Sequence, residues 1–250
     1  MARPTPTAAR RKQVILPLVG EGIVVARGGR KLLDDIDVEI DGHGLTTILG
    51  PNGAGKTLLL RVLAGLLTAD RGRVLWAGRR PDRTRFPHLG FVFQRPILLR
   101  RSARANVRYA LRAAGRSRAE SRRRAARALA EAGLDHLSDA PARVLSGGEQ
   151  RRLAIARALA VEPEVLFLDE PCANLDPASM AAVEGMIEQA RTHGTRIVLV
   201  SHDIAQARRL SDEIAFLHRG RIVEHGTVHS FFTAPQSAAA EAFLAGRIPL

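Results

Sequence analysis

The chain has 250 residues, of which 46% are hydrophobic and 25% are charged, and its formal net charge is +13. These proportions match an ordinary globular protein and exclude a chain that is disordered throughout. The single cysteine, Cys172, excludes an internal disulfide framework, and Arg61 and Arg157 interrupt the longest apolar runs, so the sequence predicts no membrane-spanning segment.

The N-terminal part of the chain predicts a short leader followed by strands. We interpret residues 1–13 as a disordered basic leader rather than an export signal, and residues 14–250 as a single domain. Residues 14–47 predict short strands with turns at residues 27–29 and 41–44. A strand over LTTILG then leads through a glycine-rich loop into the helical run TLLLRVLAGLL, and a hairpin is predicted over RGRVLWAGRR. Strand, glycine-rich loop and helix form a unit that binds phosphates.

The rest of the chain alternates between helix and strand. Residues 100–137 predict helix, LSGGEQRRLAIARALA a further helix, and VLFLDE a strand buried in a parallel sheet. Helix 179–191, strand RIVLVSHD, a helix to Leu210, strand EIAFLHRG and a strand near RIVEHG follow, with a terminal helix after Thr233. We therefore predict an α/β fold with a mixed-sheet core and an antiparallel β part near the N-terminus. A helical subdomain, about residues 96–161, is expected to be inserted between Gln94 and Asp169.

The segment GPNGAGKT matches the phosphate-loop pattern G-x-x-x-x-G-K-[ST] and lies between a predicted strand and a predicted helix. Its residues are Gly50, Pro51, Asn52, Gly53, Ala54, Gly55, Lys56 and Thr57. The glycines let backbone N–H groups close around phosphates, and the helix dipole strengthens that field. Lys56 is expected to reach the β- and γ-phosphates and Thr57 to ligate Mg²⁺. The pattern predicts a nucleoside triphosphate site, with a chance glycine-rich turn as the alternative.

Two acidic residues follow the apolar strand over residues 165–168. Asp169 is predicted at the C-terminal edge of that strand, beside the phosphate loop, where an acid can hold Mg²⁺. Glu170 is placed to take a proton from an attacking water and is the general-base candidate. An acidic pair in a loop is ordinarily solvated charge, but the buried strand and the phosphate loop favour the catalytic interpretation.

Two polar residues at other strand ends complete the candidate catalytic set. His202 follows RIVLVS and is predicted to donate to the γ-phosphate, whereas the alternative is a core histidine with a backbone partner. Gln94 ends the strand in LGFVFQRP and is predicted to sense Mg²⁺ or the water, linking the nucleotide site to the helical region. By itself Gln94 would carry little weight.

The order of the phosphate loop, Gln94, LSGGEQ, VLFLDEP and His202 resembles the nucleotide-binding subunit of ATP-binding-cassette (ABC) transporters, from about residue 15 to residue 229. LSGGEQ is the most specific of these motifs, because other phosphate-loop ATPases lack it. The resemblance implies ATP and Mg²⁺ as cofactors and a phosphate-loop ATPase fold.

The resemblance also assigns residues to a dimer in which two copies enclose two ATP molecules. It implies that LSGGEQ grips the γ-phosphate of ATP held by the phosphate loop of a second copy, through Ser146, Gly147, Gly148 and Gln150. It places Asp176, in ANLDP, at the interface near Glu170.

One position departs from the family pattern. Family members place an adenine-stacking aromatic residue just before the GGR of a stretch like this one, and here that position holds Arg27 with no Tyr or Phe nearby. A guanidinium can stack on a base, so Arg27 can take the place of the aromatic residue. The alternative is that the family's aromatic position corresponds to a different residue of this chain. Base selectivity therefore stays open.

Two functions are compatible with these motifs: an energising subunit of a membrane importer, and a soluble cassette ATPase that acts on nucleic acid or ribosomes. The net charge would attract polyanions, but it is nearly all arginine in an alanine-rich chain, which is typical of GC-rich coding. Nucleic-acid cassettes usually carry paired cassettes, coiled coils or zinc-binding insertions. This chain has one cassette, one cysteine and no heptad array, so we favour the importer and expect no nucleic acid.

The importer resemblance implies a second copy of the chain and integral membrane permease subunits as partners, with an extracytoplasmic solute-binding protein involved indirectly. It implies a location on the cytoplasmic face of the plasma membrane. Residues 94–101, apolar at Ile97, Leu98 and Leu99, are expected to receive a permease segment. QRPILLRRSARANVRYAL and FFTAPQSAAAEAFLAG are similar to polar amino-acid, phosphate and tungstate-type importers, and the first stretch favours an oxyanion such as tungstate. No large regulatory domain is expected after the last strand.

Overall fold

The computed structural model describes residues 15–247, so the leader predicted over residues 1–13 lies outside the described residues. The strands in this range are β1 (Leu18–Arg27), β2 (Arg30–Ile40), β3 (Leu45–Leu49), β4 (Arg71–Trp76), β5 (Leu89–Val92), β6 (Val165–Asp169), β7 (Arg196–Ser201), β8 (Glu213–His218) and β9 (Arg221–Thr227). The helices are α1 (Lys56–Leu63), α2 (Ala103–Ala113), α3 (Arg118–Glu131), α4 (Gly147–Leu159), α5 (Pro177–Thr192), α6 (Ile204–Leu210), α7 (Val228–Thr233) and α8 (Ala238–Leu244).

The larger sheet has six strands in the order β5-β6-β7-β3-β8-β9. Its first five strands run parallel, and β9 pairs antiparallel with β8. Strands β3, β6 and β7 are buried along their whole lengths, as their apolar runs without alternation require in a sheet covered on both faces. The predicted α/β fold with a mixed-sheet core is confirmed. Because parallel strands end at one edge, the segments that follow β3, β6 and β7 meet there.

The smaller sheet is antiparallel, in the order β2-β1-β4. The hairpin predicted over RGRVLWAGRR is present only as a tight turn closed by an antiparallel bridge between Trp76 and Arg79, with no second strand after it. Strand β4 pairs with β1 instead. The cause is Trp76, which is fully buried and donates from Nε1 to the carbonyl of Leu63 at 3.0 Å. This anchoring draws β4 onto β1 and α1.

Two predicted helices differ from the observed ones. The helix over TLLLRVLAGLL ends at Leu63, because Gly65 adopts a left-handed φ of +67°, where an added Cβ would lie 2.9 Å from Pro81 Cβ. The helical region 100–137 contains two helices, α2 and α3, each begun by a serine whose side chain accepts a backbone N–H three residues on. The terminal helix predicted after Thr233 is α8.

Helices α2, α3 and α4 lie between β5 and β6 in the chain and pack on one another. Their buried side chains share one hydrophobic cluster with β6 and α5, which includes Val107, Leu129, Ile155, Leu168 and Ile187. Residues 96–161 contain fifteen arginines and five acidic residues, whereas the rest of the described chain has nineteen basic and twenty acidic residues. The positive charge is therefore concentrated on the segment that contains these three helices. None of the helices between residues 15 and 247 has the length and apolar character needed to cross a bilayer.

Candidate functional site

The phosphate loop, residues 50–57, connects the buried strand β3 to α1. A side chain at Gly50 would overlap the carbonyl oxygen of Leu217, so only glycine fits. Gly55 has a left-handed φ of +104°, and an added Cβ would lie 3.0 Å from the carbonyl oxygen of Leu32. No side chain caps the N-terminus of α1. The amide groups of its first turn are therefore available to an anion.

Lys56 is the first residue of α1, and it is 6% exposed. Its ammonium group donates to the carbonyls of Gly50 and Pro51 at 2.8 and 2.9 Å. Burial lowers the pKa of Lys56, and the nearby charges of Glu170 and Asp169 oppose that shift. The loop thus holds a buried cation on neutral acceptors.

Thr57 and Asp169 form a pair at the base of the site. Thr57 Oγ1 donates to Asp169 Oδ1 at 2.7 Å, and Asp169 is 1% exposed. The other carboxylate oxygen, Oδ2, is buried and has no hydrogen-bond partner among the described residues. Burial raises the pKa of Asp169, against the lowering effect of the Thr57 hydrogen bond. An unpartnered carboxylate oxygen beside a hydroxyl is a donor set that fits Mg²⁺.

Glu170 is the centre of a hydrogen-bonded group of predicted catalytic residues. Its backbone takes a left-handed φ of +46°, and its N–H donates to the carbonyl of Val200 at 3.0 Å. Gln94 Nε2 donates to Glu170 Oε2 at 3.0 Å, and His202 Nδ1 lies 3.1 Å from Glu170 Oε1. The structure therefore brings the three predicted catalytic residues, Gln94, Glu170 and His202, into one hydrogen-bonded group.

LSGGEQ begins α4 with a capping box. Ser146 Oγ accepts from the backbone N–H of Glu149 at 3.3 Å, and the Glu149 carboxylate accepts from the backbone N–H of Ser146 at 2.7 Å. The hydrogen bond from the Ser146 backbone lowers the pKa of Glu149. Gln150 Nε2 donates to the carbonyl of Leu145 at 2.8 Å. The N-terminal end of α4 thus presents the two glycines within an ordered helix start.

The two glycines differ in their surroundings. A Cβ added at Gly147 would meet nothing within 4 Å, whereas one added at Gly148 would overlap the hydroxyl of Ser179 in the first turn of α5. Asp176 caps α5 and accepts from the Ser179 N–H at 2.9 Å. The starts of α4 and α5 are therefore neighbours.

The motifs fall into two groups in one chain. Lys56, Thr57, Asp169, Glu170, Gln94 and His202 form the first group. Within residues 15–247, no hydrogen bond or ion pair joins Ser146, Gly147, Gly148 or Asp176 to that group.

The structure also shows the surroundings of Arg27 and of the expected docking segment, residues 94–101. Arg27 ends β1, is largely exposed, donates to the carbonyl of Ala26 and lies 3.6 Å from Asp70. In the expected docking segment Ile97 is 62% exposed, whereas Leu98 is partly buried against the core of residues 96–161. The apolar surface predicted there therefore rests on Ile97 more than on Leu98.

The buried position of Arg151 was not predicted from the sequence. This side chain on α4 is 6% exposed and donates from Nη1 to the carbonyls of Phe93 and Glu170. In the sequence it is one arginine among many in a basic stretch, and nothing in the pattern separates a buried guanidinium from an exposed one.

Comparison with known proteins places this geometry among ATP-binding proteins of transporters. A sequence model of the family described as ABC transporter matches residues 33–173. The phosphate import ATP-binding protein PstB 2 of Natronomonas pharaonis is 37% identical to this chain over 239 residues, which cover 88% of this chain and 83% of the relative.

Solved structures are similar over most of their length. An ATP-binding subunit of an ABC transporter is 25% identical with a TM-score of 0.81, and the match covers 92% of this chain and 98% of that one. The cbiO1 protein of Clostridium perfringens, described as part of the ABC transporter complex cbiONQ, is 31% identical with a TM-score of 0.78, over 89% and 92%. A dimeric ATP-binding cassette in a post-hydrolysis state with ADP and Pi is 27% identical with a TM-score of 0.77, over 84% and 98%.

Proposed function

The chain belongs to the ATP-binding family of ABC transporters, and we propose that it is the ATP-hydrolysing subunit that energises a membrane importer. The observation that carries the proposal is the hydrogen-bonded group of Gln94, Glu170 and His202 beside the phosphate loop. Members of this family are ATPases, and this group supplies residues suited to that reaction.

The phosphate loop binds the triphosphate. The first-turn amides of α1 and the Lys56 ammonium face the same anion in this proposal. Lys56 exchanges its two carbonyl acceptors for β- and γ-phosphate oxygens. A hydrogen bond from an ammonium to a negatively charged phosphate oxygen adds ionic attraction that a neutral carbonyl does not supply, so the exchange favours binding.

Thr57 and Asp169, together with Gln94, are proposed to hold Mg²⁺. The unpartnered Oδ2 of Asp169 and the Thr57 hydroxyl supply oxygen donors, and Gln94, whose Nε2 donates to Glu170, supplies an amide oxygen. When bound, Mg²⁺ neutralises phosphate charge that develops during transfer. Burial of Asp169 keeps its carboxylate away from competing water.

Glu170 is proposed to accept the proton of the attacking water. Gln94 and His202 each engage one of its carboxylate oxygens, so the carboxylate plane is fixed while a lone pair on each oxygen stays free. His202 is 48% exposed at its side chain and is proposed to turn its second ring nitrogen to the γ-phosphate. The protein contributes mainly positioning and charge stabilisation.

We propose that a second copy completes each site. Ser146, Gly147, Gly148 and Gln150 would grip the partner's γ-phosphate, and Asp176 would lie at the interface. The absence of a hydrogen bond between these residues and the phosphate-loop group within residues 15–247 supports this division. The dimeric ADP-bound cassette among the similar structures supports it as well.

The remaining assignments follow from the family. We propose one cassette domain over residues 14–250, with the helical subdomain at about residues 96–161 and a leader at residues 1–13. The exposed Ile97 marks the surface for a permease, and the description of cbiO1 as part of a transporter complex supports a permease partner. We propose a position on the cytoplasmic face of the plasma membrane, with a solute-binding protein on the other side.

We propose an oxyanion as the transported solute. The relative from Natronomonas pharaonis is named for phosphate import, which supports the oxyanion class. The stretch QRPILLRRSARANVRYAL favours tungstate within that class.

Mixed dimers test the shared site. Ser146→Arg leaves Lys56 intact but blocks closure on the partner's γ-phosphate, whereas Lys56→Ala weakens nucleotide binding and leaves LSGGEQ usable. In a mixed dimer both changes fall in one site, and the other site keeps Lys56 from one chain and Ser146 from its neighbour. With Glu170→Gln in both chains to slow hydrolysis, purified and differently tagged mixed dimers should occlude ATP, and neither parent homodimer should.

Three results would contradict the proposal. Normal hydrolysis by the Ser146→Arg homodimer would show that LSGGEQ is only a helix start. Parent-like transport by Ile97→Glu in the reconstituted transporter, with ATP binding as the control, would remove the docking surface. Tight, salt-sensitive binding of duplex DNA would favour the nucleic-acid alternative.

A further inference from the structure

Arg151 connects three elements of the catalytic region. It lies in the second turn of α4, and its Nη1 is 3.3 Å from the carbonyl of Phe93 and 3.4 Å from the carbonyl of Glu170. Phe93 directly precedes Gln94, and Glu170 is the proposed general base. One guanidinium therefore touches the backbone beside both ends of the Gln94–Glu170 hydrogen bond.

The burial of Arg151 is unfavourable in itself. The side chain is 6% exposed, and no carboxylate pairs with it among the described residues. Its Nε is buried without a hydrogen-bond partner. Burial lowers the pKa of Arg151, and the nearby Cys172, Asp169 and Glu170 oppose the shift. Packing alone would be served as well by an apolar side chain of similar size, so the guanidinium indicates a need for its donors at this place.

The contact between Arg151 and Glu170 joins segments that are proposed to act on two different ATP molecules. The N-terminal end of α4 is LSGGEQ, which in the proposed dimer engages the ATP of the partner, whereas Glu170 acts on the ATP held by its own chain. Only one turn of helix separates Ser146 from Arg151. Arg151 thus connects the LSGGEQ end of α4 to the backbone of Glu170 through one side chain.

We propose that Arg151 is a positioning residue that links the LSGGEQ end of α4 to the backbone of Glu170 and Gln94, so that closure on one ATP aligns the general base for the other. This inference rests on the proposed function. Arg151 acts through Glu170 and touches no nucleotide. A link of this kind is a coupling between two binding sites and is measurable as cooperativity.

The adjacent residue provides a matched control. Arg152 lies on the same helix, also donates from Nη1 to a backbone carbonyl, that of Ala132 at 2.9 Å, and also has a buried Nε without a partner. Its hydrogen bond stays within the residues 96–161 and does not reach Glu170. Substitution of Arg152 therefore removes a hydrogen bond from an α4 arginine to a backbone carbonyl, but it leaves the contact between Arg151 and Glu170 in place.

The test uses the full-length chain and compares Arg151→Met, Arg151→Lys and Arg152→Met. Hydrolysis of Mg-ATP is followed as a function of ATP concentration to give kcat, KM and the Hill coefficient. We expect Arg151→Met to lower kcat by about tenfold or more and to bring the Hill coefficient close to one, with KM changed by less than about twofold, because alignment rather than binding is lost. Arg151→Lys should recover part of kcat, since an ammonium can donate to one of the two carbonyls.

Several outcomes overturn the inference. Parent-like kcat and Hill coefficient in folded Arg151→Met would do so, and so would an equal loss in Arg152→Met. Circular dichroism and ATP binding establish folding, and if Arg151→Met does not fold, Arg151→Leu, which also lacks a donor, takes its place, and a parent-like kcat and Hill coefficient there decide against the link. Lys56→Ala and Glu170→Gln separate the two proposals: if they hydrolyse ATP normally, the proposed function fails, and if they are inactive while Arg151→Met is normal, only the link fails.

Discussion

Replacement of Gly148 by alanine tests the packing between the starts of α4 and α5. The new Cβ would overlap Ser179 Oγ and would lie 2.9 Å from Ser179 Cβ. The hydroxyl can rotate away, but the Cβ is fixed to the first turn of α5, so one helix has to move. Overpacking of this kind costs about 1–3 kcal/mol. Alanine also favours helix over glycine by roughly 1 kcal/mol, so the net loss of unfolding free energy should be about 0–2 kcal/mol.

Gly147→Ala is the control for this substitution. It lies in the same turn of α4, and its added Cβ meets nothing within 4 Å. The helix preference for alanine should therefore leave stability unchanged or raise it by up to roughly 1 kcal/mol. Urea unfolding followed by circular dichroism should rank the two variants about 1–3 kcal/mol apart, with Gly148→Ala the less stable.

A double-mutant cycle identifies the contact responsible. Ser179→Gly removes both the hydroxyl and the Cβ, so Gly148→Ala should cost less in that background than in the parent, with a coupling of about 1 kcal/mol or more. Equal stabilities of the Gly147→Ala and Gly148→Ala variants, or additive effects of Gly148→Ala and Ser179→Gly, would refute the packing described between α4 and α5.

Three other predictions use single substitutions or labels. Arg27→Tyr should tighten ATP binding by up to about 1–3 kcal/mol if this position faces adenine, and unchanged affinity by calorimetry would show that adenine binds elsewhere. The lowered pKa of Glu149 stabilises the fold above its ordinary value of 4.5, and this contribution disappears as pH falls through the lowered pKa. The stability advantage of the parent over Glu149→Gln in urea should therefore shrink below pH 4.5, and a constant difference down to pH 3 would contradict it. Burial raises the pKa of Cys172 to about 11, so at pH 8 a disulfide reagent should label the native thiol on the order of 100-fold more slowly than the urea-unfolded one, and equal rates would show that the thiol is accessible.

The parts of the site that sequence predicted have local causes. Lys56 and Thr57 are set by a loop pattern between a strand and a helix, and Asp169 directly ends an apolar run. Gln94 and His202 were predicted because each ends a strand, and parallel strands bring their carboxyl ends to one edge. Their roles in catalysis stay predictions, although the structure places both beside Glu170.

The parts that sequence did not predict depend on long-range contacts. The partner of β4 is set by the burial of Trp76 against α1, which no local pattern in RGRVLWAGRR contains. The burial of Arg151 was not predicted for a related reason: it depends on how α4 packs against the segments that carry Phe93 and Glu170. Strand pairing and side-chain burial are properties of the assembled fold.

The concentration of arginine on residues 96–161 makes the molecule a permanent electric dipole. Residues 96–161, which contain the mutually packed helices α2, α3 and α4, carry a surplus of ten positive charges, while the rest of the described chain is nearly neutral. Near a membrane with anionic lipids such a dipole experiences a torque that turns the arginine-rich side toward the bilayer before contact. The Debye length is about 8 Å at physiological salt, so this rotation acts only over the last stage of approach. We expect the rate of association with permease in anionic vesicles to fall steeply with added salt, and a rate independent of salt and lipid charge would exclude such orientation.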